Sequence, residues 1–173
     1  MKSQLLRHQY FLMPVLAIVL FCACTDNDEP IHEIRVGDAV PAFKLKLPDG
    51  NVFDSTTDIY RTTLIAFFHT DCPDCQKELP VLQQLYNFAG FDISFLLISR
   101  QESGREVEAY WKDNELTMPY CPQEDRTVFN KFARNGIPRG YVVDKKSIVQ
   151  FVFSDRNMPD FDELRKRIVK TYE

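Results

Sequence analysis

Thr62-Thr63-Leu64-Ile65-Ala66-Phe67-Phe68-His69-Thr70-Asp71-Cys72-Pro73-Asp74-Cys75-Gln76-Lys77-Glu78-Leu79-Pro80 is the stretch on which the fold turns. Thr62 to His69 is rich in β-branched and aromatic residues and apolar on both faces, as a central buried strand is. From Cys75 to Phe88, Leu79, Val81, Leu82, Leu85 and Phe88 recur at helical spacing. A buried strand therefore runs into a helix with Cys72-Pro73-Asp74-Cys75 at the junction. Helix N-termini carry partial positive charge and unpaired N–H groups. A thiolate at Cys72 is favoured there, and Pro73 fits the first helical position. Two intervening residues bring both sulfurs within disulfide reach, with Cys75 deeper in the helix as the resolving thiol.

Ahead of this stretch, Phe43 to Leu47, the turn Pro48-Asp49-Gly50 and Asn51 to Phe53 predict a β-hairpin. After the helix, Ile93 to Ile98 predicts a strand, Glu106 to Leu116 an amphipathic helix and Met118 to Cys121 a short extended piece. Arg126 to Phe132 predicts a short helix. Tyr141 to Asp144 and Ile148 to Phe153 predict strands joined at Lys145-Lys146-Ser147. Asp160 to Tyr172 predicts a closing helix, acidic at its start and basic later. Strands alternating with helices indicate an α/β domain with a mixed central sheet flanked by helices.

The chain has 173 residues, with 14 Phe and 7 Tyr to supply core area, and a net charge of −4. That balance, with no Lys/Arg run, excludes a nucleic-acid footprint. Lys2 and Arg7 precede a charge-free run from Tyr10 to Ala23, too short for the roughly 20 residues that cross a bilayer. It fits a secretory signal peptide, residues 1–23, with a short transmembrane anchor as the competing reading. Ala23-Cys24 at its end is similar to a bacterial lipobox, which makes Cys24 the lipidated residue. Phe21 stands where that motif prefers Leu. Thr25-Asp26-Asn27-Asp28-Glu29-Pro30 lies in a polar, acidic tether, residues 24–34, ahead of a domain over residues 35–173. The tether resembles the surface-export signals of Bacteroidetes lipoproteins. With Cys22 removed and Cys24 lipidated, Cys72, Cys75 and Cys121 remain. An odd number with one close pair points to a redox pair rather than a disulfide framework. Half a zinc site and an inert structural disulfide are the alternatives. Cys121 reads as a small buried apolar residue.

Val36-Gly37-Asp38-Ala39-Val40-Pro41-Ala42-Phe43, Pro48-Asp49-Gly50 and Ile65-Ala66-Phe67-Phe68 leading into Cys72-Pro73-Asp74-Cys75-Gln76-Lys77-Glu78-Leu79-Pro80 together resemble the TlpA/ResA-type thioredoxin-like oxidoreductases, from about Val36 to Phe153. The resemblance implies a thioredoxin fold with an N-terminal β-hairpin extension, and thiol–disulfide exchange on protein substrates with no bound cofactor. In the family the first cysteine attacks and the second resolves, roles that fall on Cys72 and Cys75. It places a proton-handling acid at Glu78 and a cis-proline facing the cysteines at Pro138, which would aim the Ile137 backbone at a bound substrate. It also implies an exported reductant recharged by a membrane electron donor, and with the lipobox-like Cys24 and its tether the expected place is the cell envelope of a Gram-negative bacterium, facing periplasm or surface. Three residues depart from the family pattern. Asp71 replaces a Trp, His69 a small residue, and Arg139 the Thr after the cis-proline. A peroxiredoxin would need Pro and Thr seven and three residues before its cysteine. Ile65 and His69 occupy those positions before Cys72, and Phe68 and Cys72 before Cys75. A metal-handling module on Cys72, Cys75 and His69 is the remaining alternative.

Overall fold

The computed structural model describes residues 33–89 and 93–172. The signal, lipidation and most of the tether expectations fall on residues 1–32, outside the described residues. Every residue of Thr63–Phe68 is buried, which accounts for a strand apolar on both faces. In chain order the elements are β1 (Lys44–Lys46), β2 (Val52–Asp54), β3 (Thr63–Phe68), α1 (Pro73–Ala89), β4 (Ser94–Ser99), α2 (Gly104–Asp113), β5 (Tyr120–Cys121), a 3₁₀ turn (Phe129–Lys131), β6 (Arg139–Val143), β7 (Val149–Ser154) and α3 (Phe161–Tyr172). β1 and β2 form the expected hairpin. The other five strands form one sheet in the order β5-β4-β3-β6-β7. β3, β4 and β5 run parallel, while β6 is antiparallel to β3 and β7 to β6. This is the mixed sheet that the sequence predicts.

Alternation along β3 sends its side chains to two cores. Leu64, Ala66 and Phe68 pack with Leu79, Leu82 and Leu85 of α1, Trp111 of α2, and Leu164 and Ile168 of α3. Ile65 and Phe67 face the hairpin residues Phe43 and Leu45 together with Phe129, Phe132 and Tyr141. The Phe67 ring lies 5.4 Å from Phe129 and 5.0 Å from Phe132. Gly140 of β6 lies against Phe153: a Cβ there would sit 2.0 Å from the ring, so only glycine fits. Ile34, at the end of the expected tether, is buried and its N–H donates to Phe132 O at 2.9 Å.

Several element boundaries differ from the sequence-based expectation, most plainly in three places. α1 begins at Pro73, two residues early. α2 runs from Gly104 to Asp113 rather than from Glu106 to Leu116. Ser103 and Glu106 close a capping box that starts it, and Glu115 at φ +53° ends it. Arg126 to Phe132 is not a helix. Only the 3₁₀ turn forms, because so short a segment cannot stabilise helix nucleation and is held by burying Phe129 and Phe132. Among the described residues, no helix is long and apolar enough to cross a membrane.

Candidate active site

The C-terminal ends of β3 and β4 lie side by side, Phe68 opposite Ser99, and the chain leaves β3 through a tight turn into α1. The Cys72 N–H donates to His69 O at 3.1 Å, and Cys72 O accepts the first helical bond, from Gln76 N at 2.9 Å. Cys72 is therefore the residue that caps α1. Its sulfur accepts the Cys75 N–H at 3.4 Å, much as a serine oxygen would in that position. Negative charge formed on this sulfur meets an oriented amide and the positive end of a 17-residue helix.

The two cysteines differ in environment. Cys72 is half-buried and Cys75 fully buried, and both are free thiols. Burial, then the neighbouring Cys72, holds the Cys75 thiol far above the usual range. Across from the pair, the peptide bond between Ile137 and Pro138 is cis, as expected. The Cys72 thiol donates to Ile137 O at 3.5 Å, so this loop faces the exposed sulfur. Glu78 lies one turn beyond Cys75 on the same buried side of α1. It is only 3% exposed, its Oε1 has no hydrogen-bond partner, and burial pushes its carboxyl up to about 7. The structure thus brings Cys72, Cys75 and Pro138 to one place, with Glu78 beneath. Cys121 belongs to the core on the other face of the sheet. It is buried, and its Sγ donates to Lys46 O at 3.4 Å.

The departures from the family pattern also have definite places. Asp71 is exposed, and Asp74 pairs with Lys77 at 2.8 Å. Arg139 is mostly buried beside Tyr141, with its nearest acid, Glu33, at 4.0 Å. His69 Nδ1 accepts the Asp71 N–H at 3.1 Å and lies 3.5 Å from Glu102 Oε1. Glu102 was not among the residues singled out from sequence. It is buried, and its Oε1 accepts the Thr70 N–H at 2.9 Å and the Thr70 hydroxyl. Arg100-Gln101-Glu102-Ser103 reads as a solvated loop. The one available signal was Ser103 as a helix cap, which marks where that loop must return to the core edge.

The profile of the AhpC/TSA family matches residues 36–152. Over 147 residues the chain is 22% identical to the thiol-disulfide oxidoreductase ResA of Oceanobacillus iheyensis, covering 82% of this chain and 77% of that one. It is 26% identical over 117 residues to the sporulation thiol-disulfide oxidoreductase A of Bacillus subtilis, covering 65% and 70%. The fold is similar to the solution structure of a proposed protein disulfide isomerase from Bacteroides thetaiotaomicron. That match has a TM-score of 0.72 at 21% identity and covers 80% of this chain and 91% of that one. A strand-to-helix cysteine pair on a thioredoxin-like sheet, with this profile match over most of the chain, means that the protein belongs to the AhpC/TSA family, where its curated relatives are thiol–disulfide oxidoreductases.

Proposed function

We propose that this enzyme reduces disulfides in protein substrates outside the cytoplasm, with Cys72 as nucleophile and Cys75 as resolving thiol. The observation that carries the reading is the contrast between the two sulfurs. One is reachable, caps a helix and faces the Ile137 carbonyl. The other is fully buried directly behind it. The Cys72 thiolate attacks one sulfur of a substrate disulfide. That bond breaks, the departing substrate sulfur takes up a proton, and a mixed disulfide remains. Cys75 then passes its proton to a base and attacks the Cys72 sulfur. The Cys72–Cys75 disulfide forms and the second substrate thiol leaves. The substrate is reduced by two electrons and the pair is oxidised by two, so an electron donor must recharge it.

Glu78 is the base this reading assigns, since burial holds its carboxyl near neutrality beside a thiol that cannot ionise unaided. Pro138 holds the edge along which an extended substrate backbone would lie. Reduction is the direction this reading favours: burial disfavours a Cys75 thiolate although Arg100 favours it, and a pair whose thiolates are poorly stabilised gives up its electrons readily. The leader and Ala23-Cys24 support export and a lipid anchor in the envelope of a Gram-negative bacterium, where a membrane electron donor would meet the pair.

The substrate assignment is tested by trapping. Full-length Cys75→Ser expressed in the native host should accumulate mixed disulfides through Cys72 that collapse on reduction. A gel without such adducts ends the protein-substrate reading. Mass spectrometry of the mature N-terminus should find a diacyl- or triacyl-modified Cys24. An unmodified residue, or cleavage elsewhere, removes the anchor.

A further inference from the structure

We propose that His69 is a positioning residue for the attacking cysteine: its neutral imidazole holds the Asp71 amide and so fixes the turn that presents Cys72, and proton uptake at Nδ1 turns that nitrogen to Glu102 and releases the amide. The inference rests on the reading of Cys72 as nucleophile.

The geometry sets two partners in competition for one atom. Nδ1 lies 3.1 Å from Asp71 N and 3.5 Å from Glu102 Oε1. In a neutral ring this nitrogen offers one lone pair, which the Asp71 N–H occupies. It then presents no proton to the carboxylate. With a proton on Nδ1 the relation inverts. The N–H faces Glu102, a charge-assisted hydrogen bond becomes available there, and the Asp71 amide loses its acceptor. Glu102 has capacity for a further donor: Oε1 already serves Thr70, while Oε2 is buried without a partner. The carboxylate is held in place, because its side chain is 2% exposed and both donors of Thr70, the N–H and the hydroxyl, are anchored on it. The imidazole is 28% exposed, so water can deliver the proton.

The turn in question leads directly to the sulfur. His69 O accepts the Cys72 N–H, which closes the turn on itself, and Thr70 O accepts from Gln76 Nε2 at 2.8 Å, which ties it to α1. Asp71 is the one residue of the turn whose amide depends on the His69 ring. Loosening it widens the range of approach of the Cys72 sulfur, and misplacement of a reacting atom by about 1 Å lowers rates sharply. The charged and titratable groups around the imidazole are Arg100 and Glu102 from the loop after β4, Arg105 and Glu106 from the first turn of α2, Asp71 beside it, and Cys72 and Cys75 beyond. Imidazole is the side chain that ordinarily changes charge between about pH 5 and 8. The positioned state is therefore the one present at neutral and higher pH.

The test is the rate at which reduced full-length protein, wild type or variant at His69 and in every case Cys75→Ser so that only the attack by Cys72 is read, forms a mixed disulfide with hydroxyethyl disulfide, a neutral probe, from pH 5 to 8. Each rate is divided by the Cys72 thiolate fraction read from absorbance at 240 nm. For the wild type this quotient should fall about ten-fold towards pH 5. His69→Asn, whose amide oxygen can accept the Asp71 N–H without titrating, should hold the neutral-pH value across the range. His69→Ala should be about ten-fold lower at every pH. A wild-type quotient in His69→Ala, or an acid-side fall retained in His69→Asn, overturns the proposal. Cys72→Ser run alongside separates the two levels: undiminished exchange in that variant refutes the nucleophile assignment itself and the positioning role with it.

Discussion

Cys72→Ser should lower disulfide reduction by at least about three orders of magnitude, because a serine hydroxyl at the start of α1 is not a nucleophile near neutral pH. Cys75→Ser should behave differently. It should still form the mixed disulfide and then stop, since the step lost is resolution. Alkylation with iodoacetamide distinguishes the sulfurs before any substrate is added. Cys72 is reachable and Cys75 is not, and burial holds the Cys75 proton in place. Cys72 should therefore be modified first, and Cys75 after unfolding. Faster modification of Cys75 would reverse the assignment of roles. Cys121→Ala is the control. Its sulfur is buried on the other face of the sheet, so activity should stay within about two-fold while stability falls by about 1 kcal/mol.

Glu78→Gln should have opposite effects on stability and activity. The carboxyl of Glu78 is raised by burial from 4.5 to about 7. A group with a raised pKa binds its proton more tightly in the folded state, so the folded state carries more protons than the unfolded one between those values. Stability is then fully present below pH 4.5 and is lost as pH rises through about 7, by about 3 kcal/mol. Urea unfolding of the reduced protein at pH 5 and pH 8 should show this loss in the wild type and not in Glu78→Gln. The variant should be the more stable of the two at pH 8. Activity moves the other way. If Glu78 takes the Cys75 proton, the resolution rate should rise with pH through about 7, and the variant should lack that rise and resolve about a hundred-fold more slowly. Single-turnover release of substrate from a preformed mixed disulfide at Cys72 measures this step alone. Equal release rates in wild type and variant would leave Glu78 without a chemical role.

The local features of this protein are legible in its residue order. β3 is apolar on both faces because helices and hairpin cover both sides, and Pro48-Asp49-Gly50 turns a hairpin whose register follows from turn geometry. The cysteine pair at a strand-to-helix junction follows from the change from a continuous apolar run to apolar residues at helical spacing across His69 to Cys75. Ends of elements were less legible where a single side chain decided them, as Ser103 does for α2. Three features depend on the tertiary fold. Ile137 O meets Cys72 across 65 positions, and Glu102 meets Thr70 across 32, because parallel pairing of β3 with β4 and antiparallel pairing with β6 bring strand ends together. Glu78 occupies an unremarkable place in the first helical turns by sequence. Its perturbed carboxyl is a property of the protein atoms that exclude water from it, and water exclusion is set by what packs from elsewhere in the chain. Residue order thus determines which atoms carry the chemistry and on which elements they ride. Only the packed sheet decides which of them meet and which are withdrawn from solvent, because those are properties of distance and dielectric rather than of neighbours along the chain.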